Sequence, residues 1–325
     1  MELVVNTEQH GSTLAALLRL HLPDRSWSQV RRLIETRHLL LNGELCLDAA
    51  RRVKEGDTLK LLEESAPKPR QPEQVVIRFL DEHIVVVEKP AGISTVRHPA
   101  ERNWTAERRA LDPTLDDLVH KLIVAEERRS PGYAAKKTTP RLRIVHRLDK
   151  ATSGLLVFAR SVEAERELGK QFARHSAKRR YLALVPGHPR GQTIRSRLVR
   201  DRADGRRGST DAPDEGKEAV THIEIVEQLK GYTLLSCQLE TGRTHQIRIH
   251  LAELGHPICG EAVYHKRPDG TVSEDRSNAP RLCLHATELG FVHPITGEAM
   301  HWTMALPDDL EQFVRGLRRK KDVHI

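Results

Sequence analysis

An aspartate surrounded by bases is the first place to look for chemistry in this chain. In RIVHRLDKATSGLLVFARS, residues 143–161, Asp149 stands among His146, Arg147 and Lys150, and Thr152, Ser153 and Gly154 lead into an apolar run from Leu155 to Phe158. A carboxylate beside cations at the mouth of a buried strand can act as a nucleophile or a base, because a neighbouring positive charge favours its ionised form. The ordinary alternative is a salt bridge that fixes the loop. Other chemistries lack their residues. There is no GxGxxG and no GxxxxGKS or GxxxxGKT, so neither a dinucleotide nor a nucleoside triphosphate is supported as cofactor. GISTV around Ser94 lacks the second glycine of a nucleophile elbow. His245 and His250 stand five apart in THQIRIHLAELG, which reads as a helix. That spacing puts them about 140° apart, too far round to share one metal ion. No metal and no cofactor are expected.

An acid used in this way needs a rigid frame. Upstream, VVIRFLDEHIVVVEKPAGIST has two β-rich runs flanking Asp81-Glu82, the second broken by Pro90-Ala91-Gly92. Residues 97–140 are less regular and include one helical stretch, LDDLVHKLIVAEE. Downstream, SVEAERELGKQFARH reads as a helix with its glutamates early, where they complement the positive helix end. RRYLALVPG reads as a strand, and AVTHIEIVEQ and YTLLSCQLE as antiparallel strands joined through Leu229-Lys230-Gly231. THQIRIHLAELG is expected to stop at Gly255, and RLCLHATELGFVHPITGEAMHWTMALP supplies the last strands. Strands with helices inserted among them indicate an α+β domain around a mixed, mainly antiparallel sheet. The stretch RDRADGRRGSTDAPDEGK at 200–217 reads as a flexible loop.

The first 62 residues read as a separate unit. STLAALLRLHL and SWSQVRRLIETRH have helical spacing, with Val30, Leu33 and Ile34 on one face and Arg31 and Arg32 on the other. In LLLNGELCL, Asn42-Gly43 between two apolar triplets signals a tight hairpin, and RVKEGDTLKLL adds a strand after a Gly-Asp turn. EESAPKPRQPEQ, 63–74, has three prolines and reads as a semi-rigid linker. The expected organisation is a small domain at 1–62, a linker at 63–74 and a large domain at 75–325.

Composition points to a polyanionic partner. The chain has 325 residues, 53 Lys+Arg against 45 Asp+Glu and a formal net charge of +8. The excess is concentrated: residues 160–210 hold 14 Lys or Arg and 5 Asp or Glu. Such a stretch suits a polyanion, since each cation near a phosphate releases condensed counterions. Four isolated cysteines, with no CxxC pair, suit a reducing compartment better than a disulfide frame or a zinc site. No apolar run is long enough to span a bilayer, and the start MELVVNTEQHGS lacks a basic-then-apolar leader. A cytoplasmic protein without membrane contact is expected, and a monomer, because nothing marks an oligomer interface.

HRLDKATSGLLVFAR resembles the catalytic loop of the RluA family of pseudouridine synthases, in which His-Arg-Leu-Asp precedes Thr-Ser-Gly and an apolar strand. Four further segments carry the resemblance in order: VVVEKPAGIST, AKRRYLALVPG, LETGRTHQIRIHLAELGHPICGE and LCLHATELGFVHPITGE. They span most of residues 75–308. AKRRYLALVPG departs in one place, with Arg180 rather than Lys next to the tyrosine. Residues 10–62 resemble the S4 (αL-type) RNA-binding domain through the helix with Val30-Arg31-Arg32-Leu33-Ile34, the Leu41-Asn42-Gly43 turn and the Gly56-Asp57 turn.

This resemblance implies isomerisation of a uridine already in RNA. The C–N glycosidic bond breaks, the base turns while held, and C5 rejoins C1′. Substrate and product are isomers, so no cosubstrate is needed. By resemblance, Asp149 acts at the sugar, as nucleophile or as base at C2′. Its ion-pair partner would be Arg248, with Arg243 the second candidate. Tyr181 would stack on the flipped uracil and assist loss of the C5 proton. Arg147 would fill the place the base left, a role suited to a planar cation. His146 and Lys150 would shape the loop or meet phosphate. Lys89, in the Lys-Pro-Ala-Gly turn, and Arg31, Arg32 and Arg37, in the small domain, would also contact RNA. Members with an S4 domain resemble those acting on large-subunit ribosomal RNA, which is the favoured substrate, ahead of transfer RNA. A non-catalytic RNA-binding or ribosome-assembly factor is the rival from another class; it would need none of Asp149, Tyr181 and Arg248. A glycoside hydrolase would need paired carboxylates, and no second acid is assigned beside Asp149.

Overall fold

The computed structural model describes residues 1–66, 75–101, 103–129, 141–201, 207–212, 214–264 and 275–321. The expected linker therefore lies partly outside the described residues. The chain forms two compact units, one of residues 1–68, 98–108 and 199–216, the other of 69–97, 109–198 and 217–325. Among the described residues no helix is long and apolar enough to cross a membrane.

In the first unit, β1 (Glu2–Val4), α1 (Leu14–His21), α2 (Trp27–Glu35), β2 (Leu39–Leu41), β3 (Glu44–Leu45) and β4 (Thr58–Leu61) follow in order. Thr13 caps α1 by accepting the Ala16 N–H, and Ser26 and Gln29 form a reciprocal capping box on α2. Asn42 and Gly43 both take positive φ, 53° and 75°, as a two-residue hairpin turn demands. The four strands align as β1-β4-β2-β3, and Leu14, Leu18, Val30, Ile34, Leu39 and Leu59 fill the space beneath them. Strand β1, too short for alternation to reveal, was not legible in the sequence.

The second unit is built on one large sheet. Its strands are β5 (Val76–Leu80), β6 (Ile84–Lys89), β7 (Arg143–Ile144), β8 (Ser153–Ala159), β9 (Lys178–Pro186), β10 (Gln192–Val199), β12 (Lys217–Leu229), β13 (Tyr232–Leu239), β14 (Leu284–Val292) and β15 (Ala299–Thr303). The helices are α4 (Leu115–Arg129), α5 (Val162–Ala173), α6 (Gln246–Glu253) and α7 (Asp308–Lys321), preceded in the chain by α3 (Ala106–Leu111). Strand order is β10-β12-β13-β9-β14-β8-β6-β5, with β15 on β14 and β7 on β8. Only β14 and β8 run parallel among these registered pairs, so the sheet is mixed and mainly antiparallel, as expected. The stretch read as a flexible loop at 200–217 contains a strand, β11 (Gly208–Thr210), and ends in β12.

Strand β8 shows how both sheet faces are used. Every residue from Ser153 to Ala159 is buried. Leu155, Val157 and Ala159 pack with Ala164, Leu168 and Phe172 of α5, while Leu156 and Phe158 pack with Leu118 and Ile123 of α4. A strand covered on both faces reads as a continuous apolar run, which is why this one lacks alternation. The strand that follows Asp149 is thus buried on both faces of the sheet. All four cysteines are free and buried.

Candidate active site

Asp149 lies in the loop between β7 and β8, and the backbone on either side of it is anchored. Lys89 ends β6 with its side chain sealed in, 0 % exposed. Its Nζ donates to the carbonyls of Pro90 at 2.9 Å, Ile93 at 2.8 Å and Lys150 at 3.2 Å. The Gly92 N–H donates to the Lys150 carbonyl at 2.7 Å, and Thr95 Oγ1 donates to the Leu148 carbonyl at 2.7 Å while accepting the Leu148 N–H at 3.1 Å. The Lys-Pro-Ala-Gly turn is therefore a buckle beneath the aspartate loop. This corrects the expectation that Lys89 meets RNA: an ammonium closed in on three carbonyls has no path to a phosphate.

Gly154, after the loop, takes φ 126° where β8 meets β14, and a side chain there would collide with the Ala286 backbone. The neighbouring Ser153 hydroxyl pairs with His285 Nδ1 at 3.0 Å. His146 is also structural. Its Nε2 accepts the Val157 N–H at 3.1 Å and its ring stacks on Phe172 at 4.4 Å. Burial, with the nearby Arg179 charge, pushes His146 down to about 3, so it offers no cation to a phosphate and serves the loop instead. Lys150 turns its Nζ to Asp112 at 3.5 Å.

Over this floor lies α6, buried from Gln246 to Ala252 although it carries three polar side chains. Two of them, Gln246 and His250, are hydrogen-bonded inside. Gln246 donates to the Val220 carbonyl and accepts from Thr241, and His250 bonds Ser196 and Thr221. Arg248 is gripped in bidentate fashion by Glu261, Nε to Oε2 at 2.8 Å and Nη2 to Oε1 at 2.7 Å. Its remaining Nη1 faces Asp149 Oδ2 at 3.6 Å, and its guanidinium lies over the Tyr264 ring at 5.3 Å. Burial alone would raise Glu261, yet the Arg248 guanidinium and the Val263 and Tyr264 N–H groups hold it below the usual carboxylate range.

The helix starts later than expected. His245 is not its second residue but a cap in the left-handed region at φ 60°. This reverses its direction relative to His250: His245 Nδ1 meets the Tyr264 hydroxyl at 2.7 Å and its Nε2 lies 3.8 Å from Asp149 Oδ1. A carboxylate favours the Nε2–H tautomer, which leaves Nδ1 to accept the Tyr264 proton. The two oxygens of Asp149 thus face a histidine and an arginine respectively.

These groups line a cleft of about 590 Å³ that also includes Arg147, Leu148, Tyr181, Arg243 and Ile247. The Asp149 side chain is 14 % exposed at its base. Arg147 and Arg243 are exposed at its margin, and Arg243 Nε donates to the Glu218 carbonyl at 2.9 Å, so Arg248 and not Arg243 faces the aspartate. Tyr181 is 7 % exposed on β9. Burial pushes its phenol up to about 12, with Asp149 adding and Arg179 opposing, so near neutrality the phenol keeps its proton, which suits the expected stacking better than the expected help with a C5 proton. In the first unit, Arg31 and Arg32 are exposed on α2, whereas Arg37 is half-buried at φ 73° with its Nε committed to the Ala66 carbonyl.

Sequence reasoning missed Glu261, Tyr264, His245 and Arg179. Glu261 is the second acid that the glycosidase argument found absent, but its oxygens are held by Arg248 and two backbone N–H groups. A signal for it was present: an arginine inside a buried helix requires an acid, and CGE lies in a segment already singled out.

Comparisons with known proteins identify the family and the fold. Residues 83–253 match the family model described as RNA pseudouridylate synthase, and residues 14–59 match the S4 domain. A protein of Nitrosomonas europaea named ribosomal large subunit pseudouridine synthase D is 33% identical over 98% of this chain and 88% of its own. Proteins of the same name from Zymomonas mobilis and Escherichia coli are 36% and 33% identical, over 83% and 98% of this chain and 82% and 95% of theirs. Among solved structures, human RNA pseudouridylate synthase domain containing 4 superposes with a TM-score of 0.57 at 20% identity, covering 74% of this chain and 92% of its own.

Proposed function

Because this chain belongs to the RNA pseudouridylate synthase family, we propose that it isomerises specific uridines of large-subunit ribosomal RNA to pseudouridine, with Asp149 as the reacting carboxylate. The observation that carries the assignment of Asp149 is its place at the base of the cleft, 3.6 Å from a buried arginine and 3.8 Å from a histidine. That arrangement favours an ionised, oriented carboxylate before substrate arrives.

In this reading Arg31 and Arg32 hold phosphates through the S4 domain, and the target uridine turns out of its helix into the cleft. Unstacking costs a few kcal/mol, offset by cleft contacts and by Arg147 entering the vacated place. The neutral Tyr181 ring stacks on the uracil. Asp149 attacks C1′ or takes a proton from C2′, and the base leaves N1, turns, and rejoins through C5. Ribosomal RNA is favoured because the relatives that match nearly the whole chain bear that substrate in their names. The protein works in the cytoplasm as a monomer. Site-resolved mapping of pseudouridine in cells lacking the protein tests the substrate: loss of one or more positions in large-subunit RNA is expected. An unchanged ribosomal map beside a lost transfer-RNA position would overturn it.

A further inference from the structure

Two buried arginines line the same cleft, and only one of them has an acid. Arg248 is shared by Glu261 and Asp149. Arg179, 6 % exposed on β9, forms no ion pair with any carboxylate among the described residues. Its Nη2 donates to the Glu240 carbonyl at 2.7 Å, its guanidinium carbon sits 5.4 Å from the centre of the Phe172 ring, and its Nε is buried without a hydrogen-bond partner among the described residues. The titratable groups whose charges couple to it are His146 and Tyr181, both neutral at physiological pH. Burial pushes the guanidinium below the usual arginine range, although an arginine keeps its proton throughout. A buried cation with no carboxylate beside it is costly to maintain, so a site that lines the cleft with one suits an anion that arrives from outside.

Position narrows the identity of that anion. Arg179 and Tyr181 are two apart on β9 and share a face, and both line the cleft. Gly242 leaves the space: a Cβ there would come within 2.6 Å of Arg179 Nη1. When the C1′–N1 bond of a uridine breaks, its electron pair leaves with the uracil, and the charge spreads over N1, O2 and O4. On rejoining, C5 attacks C1′, the C5 proton is lost and N1 ends protonated, so the charge on the base is transient and no co-reactant is consumed. A planar guanidinium with fixed donors suits the edge of such a planar anion. Arg248 is already engaged at the sugar side by Asp149, and neutral Tyr181 brings no charge.

We propose that Arg179 is a catalytic residue that carries the negative charge of the departing uracil. This rests on the pseudouridine synthase reading and adds to it a division of labour: Arg248 serves the carboxylate and Arg179 serves the base. The donors that matter strengthen as the bond breaks, so the loss on removing them belongs to turnover and not to RNA binding.

The test uses the full-length protein, its RNA substrate and single-turnover kinetics at saturating enzyme. Arg179→Met should slow isomerisation about 10²–10³-fold, the range for loss of one preorganised charge-stabilising donor set. RNA affinity and the slope of affinity against salt should stay within about twofold of wild type. Arg179→Lys should recover at least tenfold over the Met variant, and matched thermal melts report whether each variant is folded. On RNA carrying 6-azauridine, whose extra ring nitrogen stabilises the departing anion and which keeps its C5 hydrogen, the Met variant's loss should shrink at least tenfold. A loss expressed in affinity and salt slope would identify a phosphate contact instead. Equal losses on both bases, no advantage of Lys over Met, or a wild type inactive on 6-azauridine would overturn the proposal. Inactivity of the wild type on uridine would instead overturn the synthase reading beneath it.

Discussion

Replacing Glu261 with glutamine tests how the cleft keeps an arginine aimed at Asp149. The glutamate accepts two guanidinium hydrogen bonds at 2.8 and 2.7 Å and two backbone N–H groups, with its side chain only 1 % exposed. Breaking a buried ion pair from one side typically costs 3–5 kcal/mol. Glutamine keeps an oxygen for the backbone donors, and Asp149 stays near Arg248, so the lower end applies, about 3 kcal/mol. For a domain of this size each kcal/mol is worth roughly 2–4 °C, which gives a fall in Tm of about 6–12 °C at pH 7. The pH dependence has a definite sign. Because the folded carboxyl is held below its ordinary value, its contribution is complete above the unfolded value of about 4.3 and is lost as pH falls through the folded one. The gap between wild type and Glu261→Gln should therefore be constant from pH 8 to 5 and close as acid is added. Melts followed by circular dichroism across that range measure it. A gap under about 1 kcal/mol at pH 7, or one unchanged into strong acid, would refute the reasoning.

Three further outcomes follow from single sites. Gly154→Ala should abolish soluble expression or lower Tm by more than 10 °C on the scale of a multi-kcal/mol backbone clash, since the added carbon meets the Ala286 backbone at a positive φ; a variant melting like wild type would contradict the register of β8 on β14. His146 is held neutral, down to about 3, so its contribution to stability is complete above the unfolded value of about 6.5 and declines as pH falls from there. His146→Gln should therefore flatten the acid decline of Tm between pH 6.5 and 4. Arg31→Ala with Arg32→Ala should weaken RNA binding across all sequences and reduce the logarithmic salt slope by roughly one per arginine, measured by filter binding.

Much of the fold is legible in the sequence, and the divide follows physical lines. Elements carried by local signals were legible: the Asn42-Gly43 hairpin, the amphipathic α2, the continuous apolar β8. Asp149 and Arg248 could be singled out, and they do face each other, because they sit in ordered motifs whose resemblance to a family is specific. What escaped were pairings made only by the tertiary fold. A lysine in a turn looks like a phosphate ligand until three carbonyls close around it. Histidine 245 looks helical until a left-handed cap turns it towards Asp149 and away from His250. Glu261, thirteen residues beyond Arg248, and Arg179, two before Tyr181, gain their meaning from what lies across the cleft, which spacing along the chain does not report.

The central claim is that Asp149 makes and breaks the bonds. The direct measurement is pseudouridine formation, mapped nucleotide by nucleotide on ribosomal RNA from cells lacking the protein and supplied with either wild type or Asp149→Ala, alongside the RNA affinity of each purified protein. The account predicts full restoration by the wild type, none by Asp149→Ala, and affinities within about threefold of each other, since the carboxylate contributes to the reaction and not to the grip on phosphate. Pseudouridine restored by Asp149→Ala would contradict it.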